Sequence, residues 1–376
     1  MKSLSLCFCF ATFGTLAMAC GDDSPPVGGS PASGGGGSGP VAGSPPSNGG
    51  GGSGQGGEGG SGEGGEGGSG GSPVECVADD GTILAVERLF MGDTDWNGSQ
   101  AADAWENFGR DIDGVVTTND FSGHCLPNSG ASPNNVFPDG PNGLDNAFGK
   151  VVVPILLTAS QGDGVSEPAT MAIHMGGSTL VFDMIGLGGA DQDPVETRLY
   201  GSSELGMAAN FDGEDCWPVA ENSLTNPADI TTATTVFDAA VVAGDVWSSG
   251  PPVTLDVAFS AQGIAVPLRL YQAQITMRLN AAHDAATQGQ ISGVIDTAEF
   301  NATLADVIGA FDPSLCNGAV LQAIQNQIAQ ASDIMVDGSQ DPGMTCDGIS
   351  IGLGFEASAV HLGGVGPGLL PPDTCP

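Results

Sequence analysis

The chain has 376 residues, a formal net charge of −37 and only seven lysines and arginines. So acidic a surface repels nucleic acid and anionic lipid, which argues against either as a partner, and it favours divalent cations. For most of the 44 carboxylates, a diffuse acidic coat that keeps the chain soluble is explanation enough.

Residues 1–19 read as an export signal. Lys2 supplies a short positive region, and "LSLCFCFATFGTLAMA" is apolar but too short for a stable membrane span. Ala17 and Ala19 satisfy the small-residue rule for cleavage, and Cys20 stands where a lipoprotein signal peptidase leaves a lipidated cysteine. "AMAC" is similar to a bacterial lipobox, with Ala17 where leucine is commoner. The alternative is a secreted protein that happens to begin with Cys20. No later segment is long and apolar enough to cross a bilayer, so membrane attachment is expected only through lipid at Cys20. Residues 20–73 have almost no apolar side chains and cannot offset the entropy of folding. They are expected to form a disordered Gly/Ser/Pro-rich tether with a root-mean-square reach of ~40 Å.

Residues 74–376 are expected to form a disulfide-bonded, β-rich domain with no second linker to divide it. Its roughly 300 residues suffice to bury about three quarters of the unfolded surface. Of nine cysteines, Cys7 and Cys9 leave with the signal and Cys20 carries lipid. Cys76, Cys125, Cys216, Cys316, Cys346 and Cys375 remain, an even number that reads as three disulfides in an exported chain. No C-x-x-C spacing suggests zinc. The first pairing expected is Cys316–Cys346, pinning a helix to the final strand. Cys76–Cys375 would tie the ends together and leave Cys125–Cys216.

"GTILAVERLF" (81–90) opens the domain as a strand. "VVVPILLTA" (151–159) reads as another, with Pro154 marking an edge or bulge, and "MAIHMGGSTLVFDMIG" (171–186) as a hairpin turning at Gly176–Gly177. Strand segments continue in "TVFDAAVVAGDVW" (235–247). "VTLDVAFS" (253–260) and "QAQITMRLN" (272–280) alternate at period two, as half-buried antiparallel strands do.

Two helices follow. In "DTAEFNATLADVIGAF", Asp296 and Glu299 make a capping-box pattern before a stripe of Phe300, Leu304, Val307, Ile308 and Phe311. In "DPSLCNGAVLQAIQNQIAQASDIM", Asp312 and Pro313 suggest a start, and Leu321, Ile324, Ile328, Ala331 and Met335 a buried face. "ISIGLGF" (349–355) closes the series as a strand. The fold class expected is mainly β: an antiparallel β-sandwich, jelly-roll-like, with an αα-hairpin at about residues 297–335 inserted before the last strand.

Turn residues are dense between Asp93 and Asp145. In "DTDWNGSQAADA", Asp93, Asp95 and Asn97 take the first, third and fifth places of a calcium loop, Gly98 the sixth, and Ser99 offers a carbonyl at the seventh. The half-loop resembles an EF-hand, but Ala104 stands where the twelfth-position acid belongs. Asp139 or Asp145, from "FPDGPNGLDNAFG", is expected to replace that acid and cross-link two loops through Ca²⁺. "GRDIDGVVTTND" adds Asp111, Asp113 and Asp120. The competing reading is a set of Asx turns, with Ser99 capping a short helix over "QAADAWENF".

A search for catalytic motifs finds little. Of the four histidines, none lies in a zinc-protease spacing, and the only G-x-S-x-G falls at 67–71 in the tether. His174 with Asp183 on the expected hairpin is a weak catalytic pairing. Trp96, in the acidic loop, could stack on a sugar, whereas Trp217, beside Cys216 and Pro218, reads as packed over a disulfide.

The layout of signal cysteine, Gly/Ser/Pro tether and acidic disulfide-bonded domain resembles uncharacterised bacterial surface lipoproteins of the myxobacterial type. That resemblance implies an outer-membrane location and no particular activity. The expectation is a non-catalytic binding or adhesion domain, calcium-stiffened, with a carbohydrate or surface-protein partner. The alternative is an extracellular polysaccharide hydrolase using paired carboxylates.

Overall fold

The alternating segments become strands of one large, curled antiparallel sheet, so the protein is mainly β and sandwich-like. The computed structural model describes residues 76–77, 81–159, 164–261, 264–311, 316 and 318–368. The signal and tether expected over 1–73, with Cys20, lie outside these residues, as do Asp312, Pro313 and Cys375.

In chain order the strands begin with β1 (Gly81–Phe90), β2 (Leu180–Ile185), β3 (Thr197–Gly201), β4 (Cys216–Ala220), β5 (Thr235–Phe237) and β6 (Val241–Ala243). They continue with β7 (Val246–Ser248), β8 (Val253–Ala261), β9 (Ile264–Leu279), β10 (Ala285–Asp296), β11 (Gly348–Ala359) and β12 (His361–Gly366). The sheet runs β5-β3-β2-β1-β11-β10-β9-β7-β6, and β8 also pairs with β9. The long β9 pairs with β10 along one edge and serves two neighbours along the other: Ile264–Ala273 pairs with β8, and Thr276–Arg278 with β7. A separate parallel pair joins β12 to β4.

Period-two burial is clean on β9, where Ala273, Ile275, Met277 and Leu279 are buried and Arg278 is exposed. Each such Leu, Ile or Met contributes about 1.5–3 kcal/mol by leaving water. On β11 the pattern differs. Ile349, Ile351, Leu353 and Phe355 face the core, but Ser350, Gly352 and Gly354 are buried as well. A side chain at Gly352 would run into the Phe108 carbonyl, and one at Gly354 into the Phe108 ring. Bare backbone at these two positions lets the 93–111 loop lie flat on the second face of β11.

The Thr297–Phe311 helix begins as its sequence suggests. Asp296 Oδ1 accepts from the Ala298 and Glu299 N–H groups at 2.8 and 2.9 Å. Glu299 does not close the box; its carboxylate accepts from the Tyr271 hydroxyl at 3.0 Å. The second helix is shorter than expected, Ala319–Ala329, with extended Gly318 at its start. Leu321 and Ile328 of its stripe are buried and Ile324 is half-buried, while buried Ala331 and half-buried Met335 lie past its end.

Two segments read as strands are helical. Residues 151–159 pass from a wide turn at Phe148–Val152 into the helix Val153–Ala159. Pro154 falls in the first turn of that helix, where a missing N–H is tolerated. Met171–His174 ends the helix Ser166–His174 instead of starting a hairpin. Gly176, at φ +86, follows it, and Gly176 N–H and Gly177 N–H bond back to Ile173 O and Ala172 O at 2.9 and 2.8 Å. That is a Schellman C-terminus, so the paired glycines stop a helix rather than reverse a strand.

The disulfides are Cys76–Cys216 and Cys125–Cys346, each with a Cα separation of 5.1 Å, and Cys316 is also disulfide-bonded. All three pairings expected from sequence are thereby corrected. Backbone contacts explain why. Val77 N–H bonds Leu362 O at 2.8 Å, and β12 pairs with β4, which sets Cys76 beside Cys216. Leu126 N–H to Met344 O at 2.7 Å and Cys346 N–H to Leu126 O at 2.9 Å bring Cys125 beside Cys346.

Candidate metal site

The half-loop at 93–99 folds as a capped turn. Asp95 Oδ1 accepts from the Asn97 and Ser99 N–H groups, both at 2.9 Å, and Gly98 has φ +76. The Ser99 hydrogen bond is the largest influence holding the Asp95 carboxyl below its ordinary range. Buried Asp93 turns away to another element. Its Oδ2 accepts from Val165 N–H at 2.8 Å and Ser166 N–H at 3.2 Å, and its Oδ1 from the Ser166 hydroxyl. Asp93 therefore caps the Ser166–His174 helix from across the chain, where its charge also suits the helix dipole. Trp96 packs edge-on against Phe90 and Phe108, with centroids at 5.1 and 4.8 Å.

The helix expected over 100–108 is reduced to a single 3-10 turn, Ala104–Asn107, without a side-chain cap. Ala104, Trp105 and Phe108 are buried as expected, but Ala101 is exposed.

The acids converge elsewhere. Asp111, Asp113 and Asp145 each offer a carboxylate oxygen, and these atoms all lie within 4.8 Å of one another. Two loops meet there, joined by Asp145 N–H to Arg110 O at 3.0 Å and by Ile112 N–H to Asp145 Oδ2 at 2.7 Å. Asp111 Oδ1 accepts from Gly114 N–H at 2.7 Å, and Asp113 Oδ1 from Val115 N–H at 2.8 Å. Gln340 Nε2 donates to Asp113 Oδ2 at 2.8 Å and to Asp333 O at 3.1 Å. Gly143, at φ +80, passes so close to Asp111 that an added Cβ would sit 3.3 Å from its carboxyl group.

Of the six metal ligands expected, Asp145 belongs to this triad and Asp139 lies near enough to raise its pKa. Asp93, Asp95, Asn97 and Ser99 are the turn and cap just described. Asp120 accepts from Ser122 N–H at 3.1 Å in a local turn.

A disulfide and a buried amide cross-link the segments around the triad. The Cys125–Cys346 bridge joins Val136 and Phe137 in a small apolar cluster. Buried Asn146 donates to the carbonyls of Trp105, Phe108 and Gly352, and accepts from Gly149 and Gly352 N–H. Asn146 thus fastens two segments, the Trp105–Phe108 turn and its own turn to Gly149, to β11.

Crowding sets the electrostatics. Burial, and then the charge of Asp333, push the Asp145 carboxyl up to about 9. Burial likewise raises Asp139 to about 6 and fully buried Asp333 to about 7, the latter against hydrogen bonds from Ser350. Two cations stand close. Lys150 donates to Pro138 O at 2.6 Å with its own pKa lowered by burial, and Arg110 bonds the carbonyls of Asp111 and Gln272. Neither makes an ion pair with the triad among the described residues.

An all-oxygen donor set of carboxylates from two loops fits a hard cation, of the Ca²⁺ or Mg²⁺ kind, and not zinc or copper. Such an ion would neutralise charge that burial otherwise forces to bind protons. Sequence reasoning quoted Asp111 and Asp113 as one more acidic turn, and missed Asn146, Asp333 and Gln340. Asp333 carried a signal, an acid in the apolar run "ASDIM"; Gln340 carried none.

The catalytic pairing expected of His174 with Asp183 loses its hairpin. His174 ends a helix with its ring against Phe211 at 5.2 Å, while Asp183 lies buried on β2 facing Arg198 at 3.5 Å. One cleft is lined by Val86, Leu89 and Ile173 and another by Asp93, Gln100 and Val153; the triad lines neither. Comparison with protein-family models, with curated proteins and with solved structures found no match to this chain.

Proposed function

We propose that the chain is a surface-tethered, non-catalytic binding domain, lipid-anchored at Cys20 and held off the outer membrane by residues 20–73. In this reading Asp111, Asp113 and Asp145 hold a calcium ion that stiffens the loops meeting a carbohydrate or protein partner. The observation that carries it is the convergence of the three carboxylates from two loops within 4.8 Å. Carboxylates this close, partly buried and without an ion pair, gain most from a divalent cation. Calcium is favoured over magnesium because irregular loops supply the ligands, and calcium tolerates irregular geometry.

A binding role is supported by the site's place on loops over a sheet stiffened by disulfides, where recognition surfaces usually sit. The test is titration calorimetry of the mature chain with calcium and magnesium, followed by glycan-array binding with calcium or chelator. Calcium binding at one equivalent, with calcium-dependent glycan or protein capture, is expected. Turnover of a polysaccharide, or no heat with either ion, would overturn the reading.

A further inference from the structure

A second cluster, apart from the carboxylates, has a different chemistry. Met171, Met175 and Met207 are 54%, 72% and 63% exposed, although each is a flexible apolar side chain. Met171 and Met175 lie one turn apart at the end of the Ser166–His174 helix, so they share a face. His174, three residues after Met171, belongs to the same side, and its ring stands against Phe211 at 5.2 Å.

The 205–209 segment is clamped to that helix end. Leu205 N–H bonds Gly176 O at 2.8 Å, and Ala209 N–H bonds His174 O at 3.0 Å. Running antiparallel, these two bonds centre Met207 opposite Met175. Gly176 confirms the approach: any side chain there would strike the Met207 carbonyl. The residues that bear three thioethers and one imidazole are thereby set on adjoining backbone at the end of the helix.

We propose that Met171, Met175, Met207 and His174 form a binding site for a soft monovalent cation of the Cu(I) or Ag(I) class. Thioether sulfur is a soft, neutral ligand that prefers such ions to hard divalent ones, and imidazole suits copper. A neutral donor set on a strongly acidic chain meets a favourable potential for a cation without making the site attractive to calcium. Exposure serves the ion's entry. The same side chains in a merely structural role would be better placed inside.

The experiment uses Ag(I), which needs no reductant, on the mature chain with methyl-labelled methionine followed by NMR. The methyl signals of Met171, Met175 and Met207 are expected to move together and to saturate at one equivalent, with Met184 and Met277 unmoved. Replacing Met171 and Met175 with leucine, which nearly conserves volume, should weaken silver binding at least a hundredfold, and His174→Ala about tenfold. Unchanged core methyl signals would show that these variants fold, and Met207→Leu alone provides a milder check. Shifts spread over exposed Met344 without saturation, or undiminished binding in the leucine variants, would overturn the assignment. Excess calcium should not compete, which separates this site from the carboxylate site.

Discussion

Replacing Asp145 with asparagine separates the charge of this side chain from its hydrogen bond. The amide oxygen still accepts from Ile112 N–H, at 2.7 Å in the wild type, while the group beside Asp111, Asp113 and Asp333 can no longer ionise. Burial raises this carboxyl from 3.8 to about 9 on folding. Between those values the folded chain keeps a proton that the unfolded chain has lost, so stability falls as pH rises through the window. At pH 7 the penalty on the cation-free protein is at most about 4 kcal/mol, at about 1.36 kcal/mol per pH unit. Below pH 3.8 both states are protonated and the penalty is gone.

Without calcium, Asp145→Asn should thus raise stability at pH 7, by a few kcal/mol at most, and leave it unchanged near pH 3.5. Calcium, on the proposed reading, should act in the opposite direction. At a hundredfold excess over Kd it should add about 2.7 kcal/mol to the wild type, and a variant lacking one of three carboxylates should lose most of that increment. Urea unfolding at pH 3.5, 7 and 9, each with chelator and with calcium, measures both effects. The reasoning is refuted if the variant is less stable than wild type at pH 7 in chelator, or if calcium stabilises the two equally. Calcium affinity should also rise about tenfold per pH unit between 7 and 9, as binding displaces the Asp145 proton.

The remaining predictions test the scaffold and the half-loop. Asp95→Ala should leave the calcium increment intact, since Asp95 serves its own turn, and Asp93→Ala should cost about 1–2 kcal/mol as a lost helix cap while sparing calcium binding; thermal melts with and without chelator check both. Replacing Cys125 and Cys346 with serine opens a link spanning 221 residues and should cost up to about 5 kcal/mol by loop entropy, read from the urea midpoint. Gly352→Ala should cost about 1–3 kcal/mol by overpacking against Phe108 and weaken calcium binding indirectly; a stability equal to wild type would mean that the 93–111 loop does not rest on β11 as described.

The sheet was legible wherever alternation was undisturbed, as at Ala273, Ile275, Met277 and Leu279. It was not legible where apolar residues ran together. "VVVPILLTA" has no period to choose between strand and helix, and its β-branched residues favoured the wrong one. At 166–177 the helix signals were present, Pro168 near the start and Gly176 after the end, but the double glycine suggested a hairpin turn. The site was half legible. Asp145 was expected as a ligand reaching in from a second loop, yet its partners were sought at Asp93 and Asp95. The Asp-x-Asp-x-Asn-Gly spacing that builds a calcium loop also builds an Asx turn. Only contacts far apart in sequence, Asp93 with Ser166 and Asp145 with Ile112, tell them apart.

Composition and site are linked by charge supply. With seven lysines and arginines against 44 acids, most carboxylates can be neutralised only by solvent and its ions. Arg88, Arg198 and Arg269 are engaged with Glu356, Asp183, Glu196 and Asp256 in the ion pairs described. Exposed acids need no more than water and screening salt. The acids brought under the loops at 111–145 lose that water, and the cations beside them, Lys150 and Arg110, are turned to backbone carbonyls. A buried carboxylate then has two ways to shed its charge, a proton or a metal ion. The proton is costly at neutral pH by the margin set by Asp145, whereas a divalent cation answers two or three acids at once. A chain so poor in basic residues can fold acidic loops tightly together when an external cation supplies the charge that its own sequence lacks. That is why the loops, rather than the better paired sheet, should be where the protein's stability responds to calcium.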